Sequence, residues 1–176
     1  IKKAKSKYIA FCDADDIWSK NKLKKQISFM EEKKIDFLHT DYKIINDNDI
    51  TIGSMKIKKK LNYNDLLKSC DIGLSTVVVR SNILKHNLFC KLKTKEDYAL
   101  WLKLLRNGIK IIGINTSLVF WRKSKNSLSS GVVQKILDAF RLYNKHEKFN
   151  FSYAIYLTLR LSIYYVFKKM MQKINL

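Results

Sequence analysis

The apolar run Tyr8-Ile9-Ala10-Phe11-Cys12 ends abruptly in Asp13-Ala14-Asp15-Asp16. Buried strands are apolar because both faces are covered, and carboxylates seldom adjoin them unless paired or holding a metal. Acids this close repel one another unless a cation or a proton relieves them. An all-oxygen set suits Mg²⁺ or Mn²⁺, which often take one or two carboxylates and leave other positions to substrate phosphates. A strand that ends in acid reads as a ligand site at the carboxyl edge of an α/β sheet. The bland alternative is an Asp-rich turn that caps the next helix. A second acidic pair, Glu96-Asp97, opens an expected helix. Taken alone, it is ordinary first-turn acid favoured by the helix dipole.

The elements that position these residues follow from the apolar spacing. Residues 7–12 read as a buried strand and 13–19 as the loop after it. Leu23, Ile27 and Met30 recur at helical spacing, which predicts a helix over 20–34. Residues 35–40 form a second strand ending His39-Thr40-Asp41. Asn46 to Asp49 make a turn within strand-and-loop material over 42–60. A short helix covers 62–69. Thr76-Val77-Val78-Val79 is β-prone, and Ser81 is placed to cap a short helix. A helix over 95–107 carries Leu100, Trp101 and Leu104 on its apolar side, with Gly108 as its stop. The last strands are 110–114 and 118–121, and two helices follow at 131–148 and 151–173. Strands and helices alternate early and irregularly later, which predicts an α/β core with an added region.

Composition narrows the classes. The 176 residues suit one domain with a real core, and 47% hydrophobic content excludes a disordered chain. Cys12, Cys70 and Cys90 show no metal-like pairing and fit a reducing compartment. The net charge of +20 favours polyanions such as nucleic acid, anionic lipid or phosphorylated small molecules. The excess is mostly lysine strewn along an Ile- and Asn-rich chain, so biased codon usage, absorbed by surface lysines, is the favoured explanation. No zinc-finger spacing or basic-aromatic repeat points to nucleic acid. No specific nucleic-acid partner is expected.

The stretch from Lys5 to Trp18 resembles the metal-motif segment of family 2 glycosyltransferases, enzymes with a GT-A fold. The similarity continues through Lys22 to Ile27. It returns at Ser75 to Arg80 and at Lys95 to Leu102, and closes with Phe120-Trp121-Arg122 and Asn126 to Ser129. One Asp-x-Asp carries almost no information, but the ordered set is specific and covers about residues 1–130. The resemblance implies a partial GT-A fold: α/β, with a mixed sheet flanked by helices and C-terminal helices. Residues 1–130 would be an incomplete catalytic domain, its metal and acceptor half, and 131–176 a C-terminal helical region.

The resemblance also implies roles. Asp15 and Asp16 would face a divalent cation and the diphosphate of a nucleotide-sugar donor, and Asp13 would lie near the nucleotide's sugar. Asp97 would be the catalytic base, with Glu96 as second candidate or positioning partner. Arg122 would lie near the diphosphate, unless it is a surface arginine at a strand edge. Ser127 and Ser129 would line the same loop, or be plain loop residues. His39 and Asp41 either touch nucleotide or acceptor or are structural. Trp18 and Trp101 read as packing residues, and Ser75 and Thr76 lead a strand near the acceptor. The implied activity is inverting transfer of a sugar to a saccharide or lipid-linked acceptor in bacterial surface glycan synthesis. The implied place is the cytoplasmic face of the plasma membrane. The alternatives are an inactive fragment or non-catalytic binding module of the same fold, or, less favoured, a basic nucleic-acid-binding protein.

Two further expectations concern the ends. Family members carry strand-helix units for base and ribose ahead of the Asp motif, whereas twelve residues precede Asp13 here and the first is Ile. A fragment or truncated product is expected, with an open edge on the first strand. If these residues were the whole protein, activity would be weak or absent. Phe149 to Lys169 is apolar and aromatic with a basic end. Arg160 near its middle disfavours a spanning helix. An interfacial helix toward anionic lipid, or one packed on the enzyme body, fits better.

Overall fold

The computed structural model describes residues 1–124 and 131–174, with side chains as far as residue 167. The strands are β1 (Tyr8–Ala10), β2 (Ile17–Trp18), β3 (Phe37–Ile45), β4 (Thr51–Met55), β5 (Lys60–Leu61), β6 (Val78–Arg80) and β7 (Ile111–Arg122). The helices are α1 (Lys22–Glu32), α2 (Tyr63–Lys68), α3 (Ser81–Leu84), α4 (Glu96–Arg106), α5 (Val132–Arg141) and α6 (Phe151–Ile174). A 3₁₀ turn, Leu74–Thr76, precedes β6, and a π turn, Leu142–His146, follows α5.

The strands make one mixed sheet in the order β1-β6-β3-β7-β2, with β4 added to β3 and β5 to β7. β3 and β7 run parallel, and the other pairs are antiparallel. β6 opposes both β1 and β3, so those two point the same way. The acidic loop after Ala10 therefore leaves the carboxyl edge. Neighbouring strand residues serve opposite faces, as the pleat requires. Phe37, Val79 and Ile111 pack with Trp101 of α4, Leu66 of α2 and Leu157 of α6. Leu38 and Val78 face the other way, onto Met30 of α1. The Phe37 and Trp101 rings meet edge-on with centroids 4.8 Å apart. The C-terminal helices thus share the core of the sheet.

Several sequence expectations are corrected. The buried stripe of α1 is Lys22, Gln26 and Met30, while Leu23 is 40% exposed. Gln26 is buried because its amide donates to the carbonyls of Thr76 at 2.9 Å and Leu38 at 3.4 Å. Lys22 is buried with its ammonium 4.1 Å from the centroid of the Trp18 ring. The second strand runs on to Ile45, because Tyr42 to Ile45 pair with both β4 and β7. His39 and Asp41 therefore lie inside it rather than at its end. The two last strands are one: the β3 pairing steps from Thr40↔Ile114 to Asp41↔Ser117, so Asn115 and Thr116 form an irregularity within β7. Thr76 belongs to the 3₁₀ turn, and Ser81 begins α3 without making a side-chain cap. Gly108 ends α4 as expected. It takes φ +81°, and the N–H groups of Gly108 and Ile109 bond the carbonyls of Leu105 and Leu104.

Among the described residues β1 pairs with β6 alone. A cleft of about 720 Å³ lies by the start of β1, lined by Ile1, Lys5, Ile9, Ser81 and Leu88 among others. The expected open edge is present.

Gly113 on β7 marks a tight approach. A Cβ there would overlap the Cδ1 of Ile57 and lie 2.7 Å from the Lys58 carbonyl oxygen and 3.0 Å from His39 Nε2. Gly113→Ala is expected to lower the unfolding free energy by about 1–3 kcal/mol, the usual cost of overpacking. Urea unfolding measures it, and an unchanged midpoint would contradict the expectation.

Candidate active site

After Ala10 the chain crosses to β2 through a tight acidic turn, in which the Asp16 N–H bonds the Asp13 carbonyl at 3.1 Å. The loop is shorter than the sequence predicts, because Ile17 and Trp18 pair with Phe120 and Val119 of β7. Ser75, in the 3₁₀ turn, is the hub of this turn. Its hydroxyl accepts the Asp13 N–H at 2.9 Å, and its carbonyl accepts the Trp18 indole N–H at 3.0 Å. Arg122, at the end of β7, ties the other side. Its backbone N–H donates to Asp16 Oδ1 at 2.9 Å and its Nε to the Asp15 carbonyl at 2.9 Å. The rest of the guanidinium donates to the Asn46 carbonyl and to Asp49. As the molecule stands, Arg122 braces the acidic turn against the Asn46–Asp49 turn.

Glu96 and Asp97 start α4. Lys95 ahead of them takes a left-handed φ of +68°, which few non-glycine residues adopt. Asp138 of α5 fixes this entry. Its fully buried carboxylate accepts the Thr94 N–H at 2.9 Å and the Thr94 hydroxyl at 3.1 Å. Tyr98 secures the first turn by donating its hydroxyl to the Leu66 carbonyl at 2.6 Å, with the Tyr143 hydroxyl 3.0 Å away. Arg160 of α6 donates to the Leu67 carbonyl at 3.1 Å, so this part of α6 lies on the body of the protein.

The two acidic segments lie within electrostatic reach of one another. Burial raises the Asp13 carboxyl above its usual range, and Asp15 and Glu96 raise it further. Burial raises Asp16 as well, although the Ser75 side chain and the Arg122 N–H oppose it. Asp97 is pushed up to about 6, by burial first and also by Glu96 and Asp13. Its Oδ1 accepts the Tyr98 N–H at 2.6 Å. Oδ2 of Asp16 and Oε2 of Glu96 are enclosed without hydrogen-bond partners. Asp15 is exposed.

This donor set fits a hard divalent cation. It is all oxygen, it contains a buried carboxylate oxygen lacking any donor, and like charges crowd it. Among the described residues no three acidic, histidine or cysteine side chains could hold an ion by themselves. Asp15 and Asp16 could hold one only with ligands from elsewhere, such as phosphate oxygens.

The other sequence candidates are placed as follows. Asp41 is fully buried. Its Oδ1 accepts the Ile57 N–H at 2.9 Å, and Lys56 lies 3.3 Å from Oδ2, so it holds the chain between β4 and β5. His39 is fully buried against Gly113, and the charges nearest to it in effect are Asp41 and Asp71. Trp101 is core, and Trp18 packs under Lys22. Ser127 and Ser129 lie outside the described residues. Sequence reasoning gave Ser75 only a vague place near the acceptor and missed Asp138 altogether. One signal was readable for Asp138, the lone acid of α5, set between the apolar Leu137 and Ala139.

Residues 1–88 match the family model described as glycosyl transferase family 2. Two Escherichia coli proteins, WfgD and WfaP, are each named UDP-Glc:alpha-D-GlcNAc-diphosphoundecaprenol beta-1,3-glucosyltransferase. WfgD is 41% identical over 77% of this chain and 53% of its own length, and WfaP 38% over 78% and 54%. TuaG of Bacillus subtilis, a putative teichuronic acid biosynthesis glycosyltransferase, is 31% identical over 88% of this chain and 62% of its own length. The chain thus spans little more than half the length of these relatives. Staphylococcus aureus TarS, in its crystal structure with UDP-GlcNAc, superposes with a TM-score of 0.58 at 20% identity, over 89% of this chain and 48% of that one. At that identity the likeness concerns the fold. With the family model covering half of its residues, and these sequence relatives aligned over three quarters of it or more, the chain belongs to glycosyl transferase family 2.

Proposed function

We propose that this chain carries the metal and acceptor half of an inverting glycosyltransferase. It would move a sugar from a nucleotide-diphosphate sugar to a lipid-linked or saccharide acceptor in bacterial surface glycan synthesis. The observation that carries this is an acidic turn braced at the carboxyl edge of the sheet with an enclosed, unpartnered Asp16 oxygen, within electrostatic reach of Glu96-Asp97. The names of the E. coli relatives support UDP-glucose as donor and a diphosphoundecaprenol-linked GlcNAc as acceptor.

Asp15 and Asp16 would hold Mn²⁺ or Mg²⁺ against the donor diphosphate. When bound, the ion would neutralise the charge that grows on the leaving group. Asp13 would meet the nucleotide's sugar. Arg122 would keep the turn in register beside the diphosphate through the Asp15 carbonyl and Asp16 carboxylate. Asp97 would take the proton of the acceptor hydroxyl as its oxygen bonds the anomeric carbon. The bond from that carbon to the diphosphate oxygen breaks, and its electron pair leaves with the nucleoside diphosphate. Attack opposite the leaving group inverts the anomeric centre. A base near pH 6 is well matched to this work near neutrality, and Glu96 beside it keeps its pKa high.

Residues 131–176 would rest on an anionic membrane, where a lipid-linked acceptor resides. Val132, Val133 and Ile136 on α5 and Phe151, Leu159 and Ile163 on α6 are exposed apolar side chains on a chain of net charge +20. No helix among the described residues is long and apolar enough to cross a membrane. Peripheral binding at the cytoplasmic face fits these features.

Four outcomes are expected. Asp15→Asn should remove Mn²⁺-dependent UDP affinity while the protein stays folded, and calorimetric titration with unchanged affinity would contradict the role. Asp97→Asn in the intact protein should spare UDP binding and lower turnover by about 10²–10⁴. Wild-type turnover should fall as pH drops through about 6, because Asp97 is the active base only when unprotonated. A limb near 4, the ordinary Asp value, would contradict this. Finally, the protein should sediment with phosphatidylglycerol vesicles, progressively less as salt rises, and not with phosphatidylcholine vesicles. Equal binding to both would remove the electrostatic part of the reading.

A further inference from the structure

Tyr42 of β3 is a titratable side chain that the proposed mechanism leaves unused, yet its neighbours tie it to the acidic edge. Its ring is fixed on two sides. Trp121 of β7 meets it edge-on, with centroids 6.4 Å apart. Gly73 lies against it so closely that a Cβ there would stand 3.5 Å from Tyr42 Cε1, in ordinary van der Waals contact. Both neighbours lead directly to the acidic turn. Gly73 is two residues before Ser75, whose hydroxyl holds the Asp13 N–H. Trp121 is the residue before Arg122, whose N–H holds Asp16. The Tyr42 ring is therefore clamped between the two pieces of chain that brace the turn.

The hydroxyl at the end of that ring is the unusual part. Tyr42 is half-buried, and its hydroxyl is neither hydrogen-bonded to a described residue nor sealed from solvent in the manner of Asp16 Oδ2. Burial pushes it well above the usual phenol range, and Asp71, Cys70 and Asp16 add to that. It is thus a neutral O–H at any working pH, able to donate one hydrogen bond and to accept others. Asp16 belongs to the acidic turn. Cys70 is in turn within electrostatic reach of Asp97, which, after burial, is what most raises its thiol. One line of electrostatic neighbours thus runs from the turn through Tyr42 and Cys70 to Asp97.

The chemistry of transfer says what passes along that line. The sugar being moved joins the diphosphate at one end to the acceptor oxygen at the other. It must therefore occupy the space between Asp15-Asp16 and Asp97. A pyranose brings several hydroxyls into this space, and each one that leaves water needs a new partner. A fixed neutral phenol supplies one without adding charge to an edge already crowded with acid. We propose that Tyr42 is a binding residue for the transferred sugar of the donor, its hydroxyl bonding a hydroxyl of that sugar. The assignment rests on the transferase reading of the acidic edge.

Calorimetric titration of the intact protein with UDP and with UDP-glucose, each in the presence of Mn²⁺, tests it. The variant is Tyr42→Phe, which removes the hydroxyl and keeps the ring against Trp121 and Gly73. UDP affinity should stay within about twofold of wild type, while UDP-glucose affinity should fall roughly three- to tenfold, the usual worth of one hydrogen bond. UDP-glucose analogues lacking one sugar hydroxyl each identify the partner, because one of them should bind wild type and Tyr42→Phe alike. Equal weakening of UDP and UDP-glucose would mean that Tyr42 only braces the acidic turn, and would overturn the proposal. Unchanged UDP-glucose affinity in Tyr42→Phe would overturn it too, and a raised KM for the acceptor in that case would assign the hydroxyl to the acceptor instead. Either result in a protein whose wild type binds UDP and turns over donor leaves the transferase reading standing. A folded wild type that binds neither UDP nor UDP-glucose would sink that reading and the role of Tyr42 with it.

Discussion

Like charge crowded at one sheet edge is the constraint around which this molecule is arranged. Asp13, Asp15 and Asp16 come off β1, Glu96 and Asp97 come from α4, and part of this acid is withdrawn from water. Left to themselves such groups would splay apart or take up protons. They are held by hydrogen bonds that carry no opposing charge to the carboxylates: the Ser75 hydroxyl on the Asp13 N–H, the Arg122 backbone N–H on Asp16, and the Tyr98 N–H on Asp97. The cationic part of Arg122 is directed to the Asp15 carbonyl, the Asn46 carbonyl and Asp49. Lys95 offsets part of the charge at Asp97, and the rest of the edge stays acidic, as a site for a cation and a diphosphate would require.

The C-terminal helices belong to the same arrangement. Asp138 fixes Thr94 just ahead of the left-handed Lys95, and the Tyr98 and Tyr143 hydroxyls anchor the first turn of α4 to α2. The placement of Asp97 thus depends on α5 as well as on the sheet. One set of helices positions Asp97 with its inner face and exposes apolar side chains on its outer face. In the proposed function the two faces bring a lipid-linked acceptor to the base.

Much of this was legible in the sequence because the signals were local. The Asp13–Asp16 turn, the Glu96-Asp97 start of α4 and the Gly108 stop all show as residue types at fixed spacing. What was hidden depends on partners far along the chain. Ser75 is an ordinary serine until the Asp13 turn folds against it. Lys22 and Gln26 read as exposed polar residues, yet Trp18 and two backbone carbonyls bury them while Leu23 stays in solvent. The long β7 was divided because Asn115-Thr116 interrupts its apolar run, which in three dimensions is a register shift opposite Asp41. His39 gave no hint that it would be enclosed without a partner.

The most direct test of the central claim is the electron paramagnetic resonance signal of free Mn²⁺ as the protein is added in the presence of UDP. If the acidic edge is a cation–diphosphate site, the folded protein will remove Mn²⁺ from solution saturably, beyond what UDP alone complexes, and far more weakly without the nucleotide. A signal unchanged by folded protein, or a loss indifferent to UDP, would contradict it.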